Sequence, residues 1–223
     1  MKRMLTVIAA AAFMALAALP AAATQLTLQG VNHDFVSAMV DFDYSYDAAH
    51  NQGVVDLDIT NTSTDRSRLT SFAFNLPSNI ARLASFTGPA DWEGRFDPNR
   101  INTPQDFGRF DVAGLSGDTF GGGLPKYGIP VGQTFEFVFR FVGSDLAGLD
   151  NLSFLGLDSY VNPRSSDLAE PFIARFQRVG DDRNLSDVAV VAPVPEPGTM
   201  VLLSFGVLSL CIYSKRKKSL GEQ

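Results

Sequence analysis

Thr134-Phe135-Glu136-Phe137-Val138-Phe139-Arg140-Phe141-Val142 is the stretch that decides the fold. Four phenylalanines recur at every second position, and Thr134, Glu136, Val138, Arg140 and Val142 fill the positions between them. A strand sends successive side chains to opposite faces, so this run predicts a β-strand with one greasy and one mostly polar side. The same period extends outward. Residues 35–46 place Val36, Ala38, Val40, Phe42, Tyr44 and Tyr46 on one face. Residues 54–60 do so with Val55, Leu57 and Ile59, and residues 69–77 with Phe72, Phe74 and Leu76. Weaker strands are expected at 25–29, 82–87, 107–112, 152–157 and 171–179. Pro77, Gly88-Pro89, Gly121-Gly122-Gly123, Pro130, Gly132 and Pro163 punctuate the gaps. Many short strands with such turns predict a mainly β domain over residues 24–180, an antiparallel β-sandwich of jelly-roll type. A closed β-barrel is the alternative.

The two ends have a different character. Met1-Lys2-Arg3 begins the chain with two cations, Leu5 to Leu19 is almost wholly apolar, and Pro20-Ala21-Ala22-Ala23 supplies small residues for cleavage. That pattern predicts a signal peptide over 1–23 and export. At the other end, residues 198–214 carry no charge, and Lys215-Arg216-Lys217-Lys218 follows. A helix of that length spans about 25 Å, close to the roughly 30 Å hydrocarbon core, and flanking lysines can snorkel. The run is apolar around most of its girth, unlike the one-sided stripe of a core helix. The four cations act as a membrane stop held on the cytoplasmic side, which leaves the preceding domain outside. Residues 181–194, polar and then rich in Ala and Val, read as a linker.

Pro195-Glu196-Pro197, the apolar segment and Lys215-Arg216-Lys217-Lys218 together resemble the C-terminal sorting signal of the PEP-CTERM proteins, here over residues 195–218. The resemblance implies recognition of Pro195, Glu196 and Pro197 by an exosortase, a membrane-embedded transpeptidase-like enzyme of Gram-negative bacteria, and removal of the tail. It implies inner-membrane anchoring with a periplasmic domain, followed by transfer to the cell surface or extracellular space. It further implies a role near exopolysaccharide or biofilm material. Ile59-Thr60-Asn61-Thr62-Ser63, Leu69 to Pro77 and Pro171 to Gln177 are similar in wording to domains that accompany such tails, which supplies no chemistry of its own.

Charge narrows the partners. Residues 24–192 hold 22 acidic against 12 basic side chains, a formal charge of −10, while the whole chain carries −6. An acidic domain repels phosphate backbones, which excludes nucleic acid as a partner class. Cys211 is the one cysteine and lies in the apolar tail, so the domain has neither a disulfide nor a thiol nucleophile.

Within the domain, a hairpin of 41–46 with 53–59 would set Phe42 against Leu57 and Tyr44 against Val55. The other face would then set Asp43 across from Asp56 and Asp41 across from Asp58. Like charges opposite each other destabilise a sheet unless neutralised. Calcium, with Asp47 or Asn51 contributing at the turn, is one way; Arg66 or Arg68 from a neighbouring strand is another. Calcium is thus the only cofactor the sequence raises. Trp92 and Tyr127 sit in loop-like stretches where an exposed ring could stack on a sugar, although a Trp closing the core edge is the commoner arrangement. His33 and His50 lack a Gly-x-Ser-x-Gly elbow, and Gly117 to Gly123 lacks the Gly-Lys-Ser/Thr of a phosphate loop. The expectation is a noncatalytic surface or matrix protein. A calcium- or carbohydrate-binding envelope module and a secreted glycan-active enzyme are the alternatives.

Overall fold

The computed structural model describes residues 23–103, 107–161, 168–181 and 183–192. The expected signal peptide, the sorting tripeptide, the apolar tail and the basic stop lie outside the described residues. Eleven strands run in chain order: β1 (Thr24–Gly30), β2 (Ser37–Asp47), β3 (Gln52–Asn61), β4 (Arg68–Phe74), β5 (Ile80–Thr87), β6 (Glu93–Asn102), β7 (Arg109–Leu115), β8 (Ile129–Pro130), β9 (Thr134–Gly143), β10 (Phe172–Val179) and β11 (Leu185–Val191). All pair antiparallel in a single sheet of order β5-β9-β3-β2-β1-β11-β10-β4-β7-β6, with β8 added beside β4.

The sheet curls until its two edges approach. Phe86 of β5 lies against Gly94 of β6, where a Cβ would fall 2.4 Å from the ring. The mainly β, antiparallel expectation therefore holds, and the alternative describes the architecture better. One continuous sheet is nearly closed into a barrel, in place of two facing sheets. The physical cause is the interior filling. Phe72 of β4 meets Phe137 of β9 at 4.8 Å between ring centroids, and Phe74 meets Phe139 at 5.6 Å, although β4 and β9 stand far apart in the strand order. Opposite walls thus touch through their aromatic rings. Twelve of the described phenylalanines are fully buried, and this packing does the work that disulfides do in other exported domains.

A second, smaller cluster covers the outer face of β4, β7, β10 and β11, with Phe107, Phe110, Phe120, Ile173 and Val188 at its centre. It explains the chief correction to the domain boundaries. Residues 181–194 are not a linker throughout, because β11 pairs with both β1 and β10 in the middle of the sheet. Val188 faces the outer cluster and Ala189 the interior, so the strand is buried on both sides and shows no alternation.

Two further expectations change. Residues 152–157 form no strand; Leu152–Leu155 is one helical turn, α1. Asp150 starts it by accepting hydrogen bonds from the Ser153 backbone N–H at 2.8 Å and hydroxyl at 2.7 Å. Strand β6 is unheralded because it carries Gly94 and Pro98. Proline is tolerated there because β6 is an edge whose pairing with β7 breaks between Phe96 and Ile101.

Candidate functional site

The hairpin of β2 and β3 has the register the alternation predicts. Phe42 pairs with Leu57, Tyr44 with Val55, Asp41 with Asp58 and Asp43 with Asp56. Strand β9 lengthens the acidic row, since Glu136 stands opposite Asp58. Burial pushes the Asp56 carboxyl above its ordinary range, helped by the charges of Glu136, Asp58 and Asp43. Asp41 accepts a hydrogen bond from Gln25 Nε2 at 2.9 Å.

The ridge is not a cage. Side chains on one sheet face project side by side, and among the described residues no group of three or more His, Cys, Asp or Glu converges as a metal site would. The two turn residues expected to complete a calcium sphere are engaged elsewhere. Asp47 accepts from His50 Nδ1 at 2.8 Å, which holds its carboxyl below the usual range, and Arg140 approaches at 3.5 Å. Asn51 Oδ1 accepts from the Tyr46 hydroxyl. Arg66 and Arg68 do not neutralise the ridge either; they line a cleft of their own.

Trp92 and Tyr127 come together on one cleft of about 340 Å³, with Asp91, Glu93 and Asp118 on its walls. Trp92 Nε1 donates to the Tyr127 carbonyl at 3.0 Å. The indole, however, is 7 % exposed and packs on Phe137 at 4.8 Å and Phe72 at 6.0 Å. It closes the core between β5 and β6 and offers no free face for a sugar, which corrects the stacking expectation for Trp92. Tyr127 is half-buried, with the Lys126 ammonium 4.2 Å over its ring.

His33 is bound to Asp187 of β11, a pairing with no sequence signal because the two residues are distant and Asp187 sat in the presumed linker. The fully buried carboxylate accepts from His33 backbone N–H at 2.9 Å, from His33 Nδ1 at 3.2 Å and from Asn32 Nδ2 at 2.9 Å. These contacts anchor the loop between β1 and β2. A cluster of Arg66, Arg68, Arg178 and Arg183 has no sequence signal either, since the segments around the β3–β4 and β10–β11 connections that carry it are remote in the chain.

Among protein families, residues 193–217 match the PEP-CTERM protein-sorting motif. That span takes in Pro195-Glu196-Pro197, the apolar run and Lys215 to Lys217. The C-terminus is therefore a PEP-CTERM sorting signal, which implies exosortase processing and an exported protein sorted to the membrane or cell surface. No curated protein and no solved structure matches the chain.

Proposed function

We propose that this chain is a noncatalytic protein of the cell surface or extracellular matrix, whose β domain associates with exopolysaccharide after its tail has been removed. The sorting motif at residues 193–217 carries the reading, since it commits the chain to a surface route. The basic stop keeps the tail's end cytoplasmic and the domain periplasmic until processing. Three groups with potential for chemistry have structural partners, which supports the noncatalytic reading. Trp92 plugs the barrel, Asp187 and His33 fix a loop, and Asp47 with His50 orders the β2–β3 turn.

Intact mass of the mature protein from cells with and without the exosortase tests the first half. The expected result is a C-terminus near Pro195 only where the enzyme is present; identical masses that retain Lys215 to Lys218 would reduce the tail to a plain anchor. Co-sedimentation with isolated exopolysaccharide tests the second half. Retention without turnover is expected, and release of shortened glycan would replace this reading with that of a glycan-active enzyme.

A further inference from the structure

We infer that the cleft between the β3–β4 loop and the β10–β11 turn is a binding site for a carboxylated sugar. The inference rests on the exopolysaccharide reading above and narrows it to acidic glycans. Arg66, Arg68, Arg178 and Arg183 line a cavity of about 260 Å³ together with Pro130 and Val131. Among the described residues Asp65 is the one carboxylate on its wall, and it ties the two segments together. Its Oδ1 accepts from Ser67 N–H and its Oδ2 from Gly180 N–H, both at 3.0 Å. Asp181 lines the adjoining cavity beside Arg66 and Arg183. Among the described residues none of the four arginines forms an ion pair; the three ion pairs there belong to His33, His50 and Arg140.

Four arginines without an ion pair among the described residues therefore line one cleft in a domain whose overall charge is −10; Arg68 Nη1 also donates to the Gly128 carbonyl at 3.4 Å. The backbone is held in costly conformations to put two of them there. Arg178 has φ 58° and Arg183 φ 54°, the left-handed region that non-glycine residues avoid. Arg178 also stands where the β10–β11 register slips by one residue between Gln177 and Val179, and a bulge of this kind re-aims its side chain. Ser67, on the same wall, is fully buried with a hydroxyl that has no hydrogen-bond partner.

The ligand class follows from the lining. Guanidinium forks match planar carboxylates in bidentate geometry. Pro130 and the exposed Val131 offer an apolar wall for the C–H face of a pyranose, which a bare phosphate would leave unused. The volume is slightly below the roughly 300 Å³ of the smaller ligand sites, which suits one charged sugar unit of a polymer. The acidic ridge of a second copy is a flat sheet face whose short side chains reach poorly into a concave cleft.

The experiment is binding of the full-length chain, purified in detergent, to polygalacturonate, neutral dextran and phosphatidylglycerol vesicles at low and high salt. Polygalacturonate should bind and dextran should not, with binding falling steeply as salt rises. A double variant, Arg66→Gln with Arg183→Gln, should weaken polygalacturonate binding at least tenfold while leaving the melting midpoint unchanged. Arg68→Gln with Arg178→Gln is the second variant and should behave alike. Undiminished binding in both variants would overturn the cleft and leave the exopolysaccharide reading intact, as would binding to dextran alone. Failure to bind any glycan would overturn both. Vesicle binding that exceeds polygalacturonate binding and is lost in both double variants would assign the cleft to lipid phosphate instead.

Discussion

Asp43 of β2 and Asp56 of β3 stand directly opposite each other, and neither has a cationic partner among the described residues. Asp56 carries the consequence, its carboxyl pushed up by burial and by Glu136, Asp58 and Asp43. With the folded value above the unfolded one, the native state holds more of the proton in the window between them. Stability contributed by this group therefore falls as pH rises through that window and is recovered on acidification.

Asp56→Asn should accordingly stabilise the domain at pH 7, by about 0.5 kcal/mol on the scale of cross-strand pairs. The gain should shrink towards pH 4, where Asp56 is itself increasingly neutral. Urea unfolding at the two pH values measures it, and a gain independent of pH would mean that charge is not the cause. Millimolar calcium and magnesium should raise the melting midpoint alike, because the ridge attracts divalent ions without caging one. A rise specific to calcium would restore the metal site.

Trp92→Ala should cost about 3–5 kcal/mol, the range for a large aromatic removed from a core. Trp92→Phe keeps the contacts with Phe72 and Phe137 and loses the bond to the Tyr127 carbonyl, a cost nearer 1 kcal/mol for that bond. A solvent-facing sugar platform would instead tolerate either change to within about 0.5 kcal/mol. Denaturant midpoints at constant m separate the two outcomes.

The β2–β3 register was legible because strict alternation fixes the face of each residue and the short turn after Asp47 sets the pairing that buries Phe42, Tyr44, Val55 and Leu57 together. Alternation fails as a signal where both faces are covered, and β11 is such a strand; Val188-Ala189-Val190-Val191 reads as featureless apolar chain. For Trp92 the sequence offered both directions, with the core edge the commoner. Gly88, Pro89 and Asp91 mark a loop correctly, but only the meeting of β5 and β6 decides which way its indole faces. The arginine cleft needs two loops brought together by the Asp65–Gly180 bond, a contact no local pattern announces.

Asp187→Ala should destabilise the domain by about 2–3 kcal/mol, since Asn32, His33 and Val188 lose an acceptor and three backbone donors are released together. His33→Ala removes one contact and should cost less than half as much. Hydrogen exchange localises the effect: the amides of Asn32 and His33 should lose protection in the Asp187 variant. Equal exchange in variant and parent would show that the loop is held by other means.

Arg178→Gly separates fold from function by sign. Glycine adopts a positive φ freely, so the change should raise stability by about 0.5–1 kcal/mol while removing a cation from the cleft. Loss of stability would mean that the Arg178 side chain supports the barrel, and its place in the cleft would then need no ligand to explain it.

Deleting residues 185–192 distinguishes a strand from a tether. A tether could be shortened at little cost. Strand β11, however, supplies the ladder for β1 on one side and β10 on the other, and its removal strands the backbone donors and acceptors of both. It would also open the barrel beside Leu28, Ala174 and Phe176, all fully buried. The deleted chain should therefore fail to give a cooperative thermal transition and should accumulate as aggregate. Replacing residues 192–194 with Gly-Ser-Gly should leave the midpoint unchanged, because these three positions follow the last strand. The sorting tripeptide begins at Pro195, so trimming there removes the tail and spares β11 with three residues to hand. A folded, monomeric 185–192 deletion would show that the sheet closes without its central strand.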